Sequence, residues 1–388
     1  MEPDKPKIYF PGLNGLRFVA AFAVIITHVE LLKGQLGLDN NWLHPVIFNL
    51  GGLGVYFFFV LSGFLITYLL IAEKDNTGTI SIKKFYIRRI LRIWPLYYLL
   101  ILLAFFVLPH FGFLDIEWLK GPFRENFWPL LVLNLFMLPN LALALDTRYP
   151  VPHAGQAWSI GVEEQFYLIW PVIVKFSRRF LVLLLVLTGG IVVAKAGILF
   201  LSEGHAHNSF IGVIKEFAAM SKIECMSIGA FGAYFLYTQN KRIMILVFNP
   251  LVQLLSYLMI PLLIYFTPEL LQDGIHIVYS VIFCIIILNV AANQKSFLKM
   301  ENRVFDFLGS ISYGLYMYHM FIIVFVIRGL QYFGMENDLM ANVMFYLFSV
   351  GLTIVVSWLS FRYFESLFNR KRKKFAKIIS GNDAKIRE

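Results

Sequence analysis

Ten apolar runs, each long enough to cross a hydrocarbon layer as a helix, leave this chain little choice of fold. They fall at 15–32, 47–72, 93–109, 158–176, 180–201, 222–238, 243–266, 275–292, 308–330 and 341–362. A helix needs roughly 17–25 mostly apolar residues to span a ~30 Å core, and in lipid only helices and closed barrels satisfy their own backbone. Charged residues make up 15% of the chain, against about 25% in a soluble domain. The sequence therefore predicts an all-α polytopic transmembrane helical bundle of about ten core helices, embedded in a lipid bilayer. An eleventh stretch, 127–145, is interrupted by Pro129, Pro139 and Asn140 and reads as a short re-entrant or partial element.

Basic residues orient the bundle, because Lys and Arg collect in cytoplasmic loops. With the first residue inside, 26 of the 34 Lys and Arg fall in inside segments, ending in a run from Arg370 to Arg387. A full crossing at 127–145 would put that run outside. The expectation is a multi-pass protein of the cell inner (plasma) membrane with both termini cytoplasmic: one transmembrane domain over 1–369 and a basic cytoplasmic tail at 370–388. The net charge of +10 is then topological, and no nucleic-acid partner is expected, since that needs a soluble basic surface. Cys225 and Cys284 lie in apolar runs and read as core residues. The start Met-Glu-Pro-Asp-Lys-Pro-Lys has no cleavable signal pattern, which makes the first span an uncleaved signal anchor.

Ionisable groups inside apolar runs are costly and functional by default. His28 lies 11 residues beyond Arg17, or about 16 Å along a helix rising 1.5 Å per residue. His319 lies at a similar depth in another inside-to-outside span, so the two histidines are expected to share a cavity. Tyr313, Tyr316 and Tyr318 lie close by in the same run. Arg89 and Arg92 share one helix face and suit an anionic ligand gripped by two guanidinium forks, although a loop resting on anionic lipid has the same composition. Glu163 and Glu164 open a span, one facing the bundle and the other nearer its mouth, where a carboxylate can orient a histidine or merely favour a helix start. The run Gly51-Gly-Leu-Gly54 to Ser62-Gly63 predicts close helix packing, with Ser62 a possible lining group. Glu203, His205, His207 and Asn208 fall in the largest outer loop and read as solvated residues. No metal site is expected.

At these residues the chain resembles the membrane-bound acyltransferase-3 family, integral membrane enzymes that O-acylate carbohydrates of the cell envelope. The marks, in order, are Arg17 with ten residues before His28, the Gly54-Val to Ser62-Gly63-Phe block, Arg89-Ile-Leu-Arg92-Ile-Trp-Pro95, Trp158-Ser to Glu163-Glu-Gln-Phe-Tyr, Ser312-Tyr to His319, and Phe364-Glu365. The resemblance implies ten core helices, acyl-CoA (usually acetyl-CoA) taken from the cytoplasm, and delivery of the acyl group to a hydroxyl of a carbohydrate or glycan acceptor on the far side. It makes His28 the essential histidine, Arg17 its motif partner, Arg89 and Arg92 the acyl-CoA arginines, and Glu163 the motif glutamate. Many members carry an aspartate where this chain has Tyr56. Some also carry an appended esterase-like domain not seen here, so transfer is expected to be completed by the membrane domain or by a separate partner.

These readings converge on a mechanism with His28, poised by Glu163, as general base. Arg89 and Arg92 hold the CoA phosphates, and Ser62, Glu164, Tyr313 and His319 are candidates for the substrate cavity. Direct transfer and a covalent acyl-enzyme both remain open. A proton-coupled secondary transporter or exporter of an anionic or glycan solute would also place His, Glu and Arg in a bundle, usually with internal repeats, and none is visible here.

Overall fold

The computed structural model describes residues 6–145, 150–202, 204–206, 209–267 and 273–380. Helix α1 (Leu13–Gln35) starts just after Gly12, whose φ of 72° turns the chain into the bundle. Pro45 occupies the first turn of α2 (Pro45–Thr77), where its missing N–H is no loss. Helix α3 (Ile82–Leu102) runs on through a π-helical turn at Leu103–Val107. The stretch after it is broken into α4 (Glu117–Glu125), α5 (Phe127–Leu135) and α6 (Pro139–Ala144). Residues 127–145 thus form two short helices and no continuous crossing, as the interrupting prolines predict.

Then follow α7 (Ala157–Phe176), α8 (Phe180–Leu201), α9 (Phe210–Met220) and α10 (Ile223–Tyr237). Helix α9 occupies what reads from sequence as an outer loop; Glu203, His207 and Asn208 lie outside the described residues. The run 243–266 is not one straight span but α11 (Lys241–Val247) and α12 (Pro250–Phe266), bent by 56°. The break falls where Asn249 accepts from the Leu251 N–H at 2.8 Å and Pro250 starts a new helix. Helix α13 (Ile275–Ala292) precedes α14 (Arg303–Ser310), a separate short helix against α1. The ninth span therefore begins at α15 (Ser312–Tyr332), not at 308. Helix α16 (Leu339–Leu359) passes through a π-helical turn at Ser360–Glu365 into α17 (Ser366–Lys373), so the expected boundary at residue 369 falls inside a helix.

Among the described residues, seven helices are long and apolar enough to cross a membrane, eight if the bent pair α11–α12 is one span. Helices α7 and α10, which are not among these, pack against α2 within the bundle. The protein is an all-α polytopic membrane bundle. Two short strands, β1 (Lys7–Ile8) and β2 (Ile379–Ser380), pair in parallel, so the two terminal segments meet at one end of the bundle. Arg88 joins them there by donating to the Phe375 carbonyl at 3.0 Å. This is the basic end; residues 381–388 lie outside the described residues.

The glycine block of α2 sets the packing. A Cβ on Gly54 would lie 2.6 Å from the Ala20 carbonyl of α1, one on Gly63 1.9 Å from the Met226 carbonyl, and one on Gly229 2.0 Å from the Val60 carbonyl. Helices α1 and α10 thus lie directly against α2 because no side chain intervenes. Peripheral α8 is largely exposed along its apolar length, but Lys195 anchors it to α10 with a 2.7 Å bond to Glu224 Oε1, itself 2.6 Å from His276 Nε2 on α13.

Candidate active site

Near the basic end, α1, α3 and α7 bring together Arg17, Arg89, Arg92, Glu163 and Glu164. Arg17 is electrostatically coupled to Arg92, Arg89, Tyr167 and Glu163. Its guanidinium donates to Asn14 Oδ1 at 3.1 Å. Arg89 is sandwiched between aromatic faces, 5.5 Å from the Phe85 centroid and 5.4 Å from Tyr167. None of the three arginines forms an ion pair among the described residues, and Arg89 Nε has no hydrogen-bond partner. The carboxylates nearby are engaged elsewhere. Tyr167 donates to Glu163 Oε2 at 3.0 Å and shares a hydrogen bond with Ser62, while Trp94 Nε1 donates to Glu164 Oε2 at 3.0 Å. Glu365, in the π-helical turn after α16, couples to Arg92 and accepts from Ser360 at 3.3 Å. Three guanidinium groups coupled to one another, none in an ion pair among the described residues, have the chemistry to hold a polyanion.

One layer farther from the basic end, the Ser159 and Tyr316 hydroxyls meet at 2.7 Å and join α7 to α15. Beyond them His28 Nδ1 lies 2.9 Å from the Val24 carbonyl and 3.2 Å from His319 Nε2, the imidazoles 4.9 Å apart. Because the Val24 carbonyl can only accept, Nδ1 carries the proton and Nε2 keeps its lone pair. Glu163 does not reach this level: it lies four residues, about 6 Å, from Ser159 toward the basic end, and His319 three residues, about 4.5 Å, from Tyr316 the other way. The ring partner of His28 is thus His319, where the sequence suggested Glu163, because the antiparallel run of α7 against α15 puts the carboxylate among the arginines.

His28 lines a cavity of about 310 Å³ walled by Trp42, Phe48, Trp158, Tyr316 and the polar groups of Gln35, His153 and Gln156. His319 is fully buried behind His28, and Ser62, Glu164, Tyr313 and His319 do not line this cavity. Tyr313 donates to the Ile93 carbonyl at 2.9 Å, tying α15 to α3. Gly51, where a Cβ would lie 3.0 Å from Thr27, keeps a side chain out of the cavity wall there. Its mouth is held by a buried carboxylate: Glu30 accepts from Lys33 at 2.8 Å, from Tyr346 at 2.6 Å and from the Asn41 N–H, so the loop carrying Trp42 is fixed to α1 and α16. Burial pushes the His153 imidazole, in the loop before α7, down to about 4, so it is neutral near pH 7.

Sequence reasoning missed Tyr167, although its i,i+4 spacing from Glu163 was a readable signal. It also missed His153 and Gln156, which lie in a loop with no periodicity to read. Among the described residues no group of three or more His, Cys, Asp or Glu could hold a metal ion.

A family model described as an acyltransferase domain, type 3, matches residues 10–362. The chain belongs to the acyltransferase-3 family. A Staphylococcus aureus protein named "Putative O-acetyltransferase" is 27% identical over 384 residues, covering 94% of this chain and 58% of the relative. The peptidoglycan O-acetyltransferase OatA of Listeria monocytogenes is 26% identical over 377 residues, covering 92% of this chain and 55% of its own. The chain thus spans a little over half the length of these relatives. No solved structure matches it.

Proposed function

We propose that this membrane O-acetyltransferase family member takes an acetyl group from cytoplasmic acetyl-CoA and transfers it to a hydroxyl of a glycan on the extracytoplasmic side, with His28 as general base. The observation that carries the reading is the layered pair of sites: unpaired arginines toward the basic end, and a histidine with a free Nε2 facing a cavity one layer beyond. The excess of positive charge at the end where the termini meet supports a cytoplasmic placement of both termini in the plasma membrane. Peptidoglycan is the acceptor named for the Listeria relative, and a cell-envelope glycan is the corresponding class here.

The CoA phosphates would rest on Arg17, Arg89 and Arg92 as charge-assisted hydrogen bonds, with the pantetheine arm running past Tyr167 and the Ser159–Tyr316 layer. The acceptor hydroxyl gives its proton to His28 Nε2 as its oxygen bonds to the thioester carbon. The C–S bond then breaks, and the imidazolium returns the proton to the departing thiolate. His319, against Nδ1, keeps the ring oriented and shares the charge that forms on it.

The test is acetyl-CoA consumption with acetylated glycan as product, in proteoliposomes carrying wild type or His28→Ala. A general base contributes about 10²–10⁴ in rate, so the variant should lose that much turnover while binding acetyl-CoA as wild type does. Equal turnover would remove His28 from the chemistry. Acetyl-CoA-independent uptake of a solute would favour a transporter.

A further inference from the structure

Attack of a hydroxyl on a thioester puts negative charge on the carbonyl oxygen, and a hydrogen-bond donor fixed at that oxygen is usually the largest single source of rate. Most donors around the His28 cavity are committed to the protein itself. Thr27 Oγ1 lies 3.0 Å from the Ile47 carbonyl, the Gln156 amide donates to the Met317 and His153 carbonyls, and the Tyr316 hydroxyl donates to the Gln156 carbonyl at 3.1 Å. Trp158 differs. It lines the cavity as the second residue of α7 and is half-buried; its Nε1–H makes no hydrogen bond among the described residues, yet it is not shut away from open space. The ring stands edge-to-face with Phe59, centroids 6.1 Å apart. Phe59 is fully buried and lies on α2 four residues, about 6 Å, beyond cavity-lining Val55 toward the basic end. Phe59 therefore backs the indole, which forms the cavity floor beside the Ser159–Tyr316 layer, on the side from which a thioester held by the arginines arrives. Gln35 and Trp42 also carry uncommitted N–H groups among the described residues, but nearer the mouth: Gln35 is seven residues, about 10 Å, beyond His28, and Trp42 is in the loop fixed by Glu30.

Resting on the acetyltransferase reading, we propose that Trp158 is a second catalytic residue, its indole N–H the donor that holds the oxyanion of the tetrahedral intermediate. As the acceptor oxygen bonds to the carbonyl carbon and its proton passes to His28 Nε2, the π pair of the C=O bond moves onto the carbonyl oxygen, and the Trp158 N–H donates to it. That pair returns to re-form the C=O bond as the C–S bond breaks, and the imidazolium gives its proton to the departing thiolate. An indole N–H suits this place because it only donates: it does not compete with His28 for the acceptor proton. Packing on Phe59 fixes its direction before the reaction begins. The bond is stronger to the oxyanion than to the neutral carbonyl, so its effect falls on kcat and not on substrate binding.

The test removes the N–H and little else. Replacing the Trp158 indole by benzothiophene, which has sulfur where the N–H was, keeps the ring, and Trp158→Phe provides a second donor-free variant. Both are compared with wild type in proteoliposomes, reading thiol release from acetyl-CoA with solubilised peptidoglycan strands as acceptor, alongside acetyl-CoA binding and thermal melting. Loss of one oxyanion donor costs about 10²–10³ in kcat, so the benzothiophene variant should lose that much while its KM for acetyl-CoA, its acetyl-CoA binding and its melting temperature stay at wild-type values. Trp158→Phe should lose at least as much. A benzothiophene variant with wild-type kcat, a change confined to KM, or a loss seen only where the melting temperature also falls would overturn the proposal and leave the acetyltransferase reading in place. A wild type with no acetyl-CoA-dependent turnover would sink both.

Discussion

Replacing Arg89 with alanine tests whether the arginine cluster is a substrate site or part of the scaffold. Arg89 stacks 5.5 Å from Phe85 and 5.4 Å from Tyr167 and has no ion pair among the described residues, whereas Arg92 is exposed. A hydrogen bond to a charged group contributes about 1.5–3 kcal/mol, so Arg89→Ala should weaken acetyl-CoA binding about 10–150-fold. An exposed charge pair is worth only about 0.2–1 kcal/mol, so Arg92→Ala should cost about fivefold or less. Arg89→Lys keeps the charge but loses the planar fork and the stacking, and should fall between them. Thermal stability should hold in Arg89→Ala, because losing cation–π contacts worth about 0.5–1 kcal/mol each is offset by removing a partly buried cation that no carboxylate balances. Calorimetry with acetyl-CoA, repeated with phosphate-free S-acetylpantetheine, reads all of this. A loss that persists with the phosphate-free thioester, or an Arg92→Ala loss as large as that of Arg89→Ala, would refute the reasoning.

Two further outcomes follow from packing and burial. Gly63→Ala places a Cβ 1.9 Å from the Met226 carbonyl and should cost about 1–3 kcal/mol or more of stability; Gly189→Ala, with nothing within 4 Å of the new carbon, should melt no lower than wild type in the same thermal assay. His153 is held near 4 against 6.5 for a free imidazole, so the native state binds fewer protons than the unfolded chain. Its contribution is complete above pH 6.5 and is lost as pH falls toward 4. Between pH 7 and 5 about 2 kcal/mol of stability should disappear, and a wild-type melting curve no steeper in pH than that of His153→Gln would count against this.

Much of the architecture follows from composition along the chain. Apolar run length placed the helices, the prolines at 129 and 139 broke the partial element, and the α2 glycines announced contacts closer than side chains allow. The intramembrane cost of charge also singled out His28, Arg17, Arg89, Arg92, Glu163 and His319. The partners of these groups were not readable, because a partner depends on the relative depth of helices far apart in sequence. Ser159 meeting Tyr316 fixes α7 against α15 and sends Glu163 to the arginines, leaving His319 for His28. Likewise, the Gln156 amide nitrogen is bound to the carbonyls of Met317 and His153 only because the loop before α7 packs against α15. Hydrophobic patterning is local and survives in one dimension; register between helices and the direction of a loop amide are properties of the packed bundle alone.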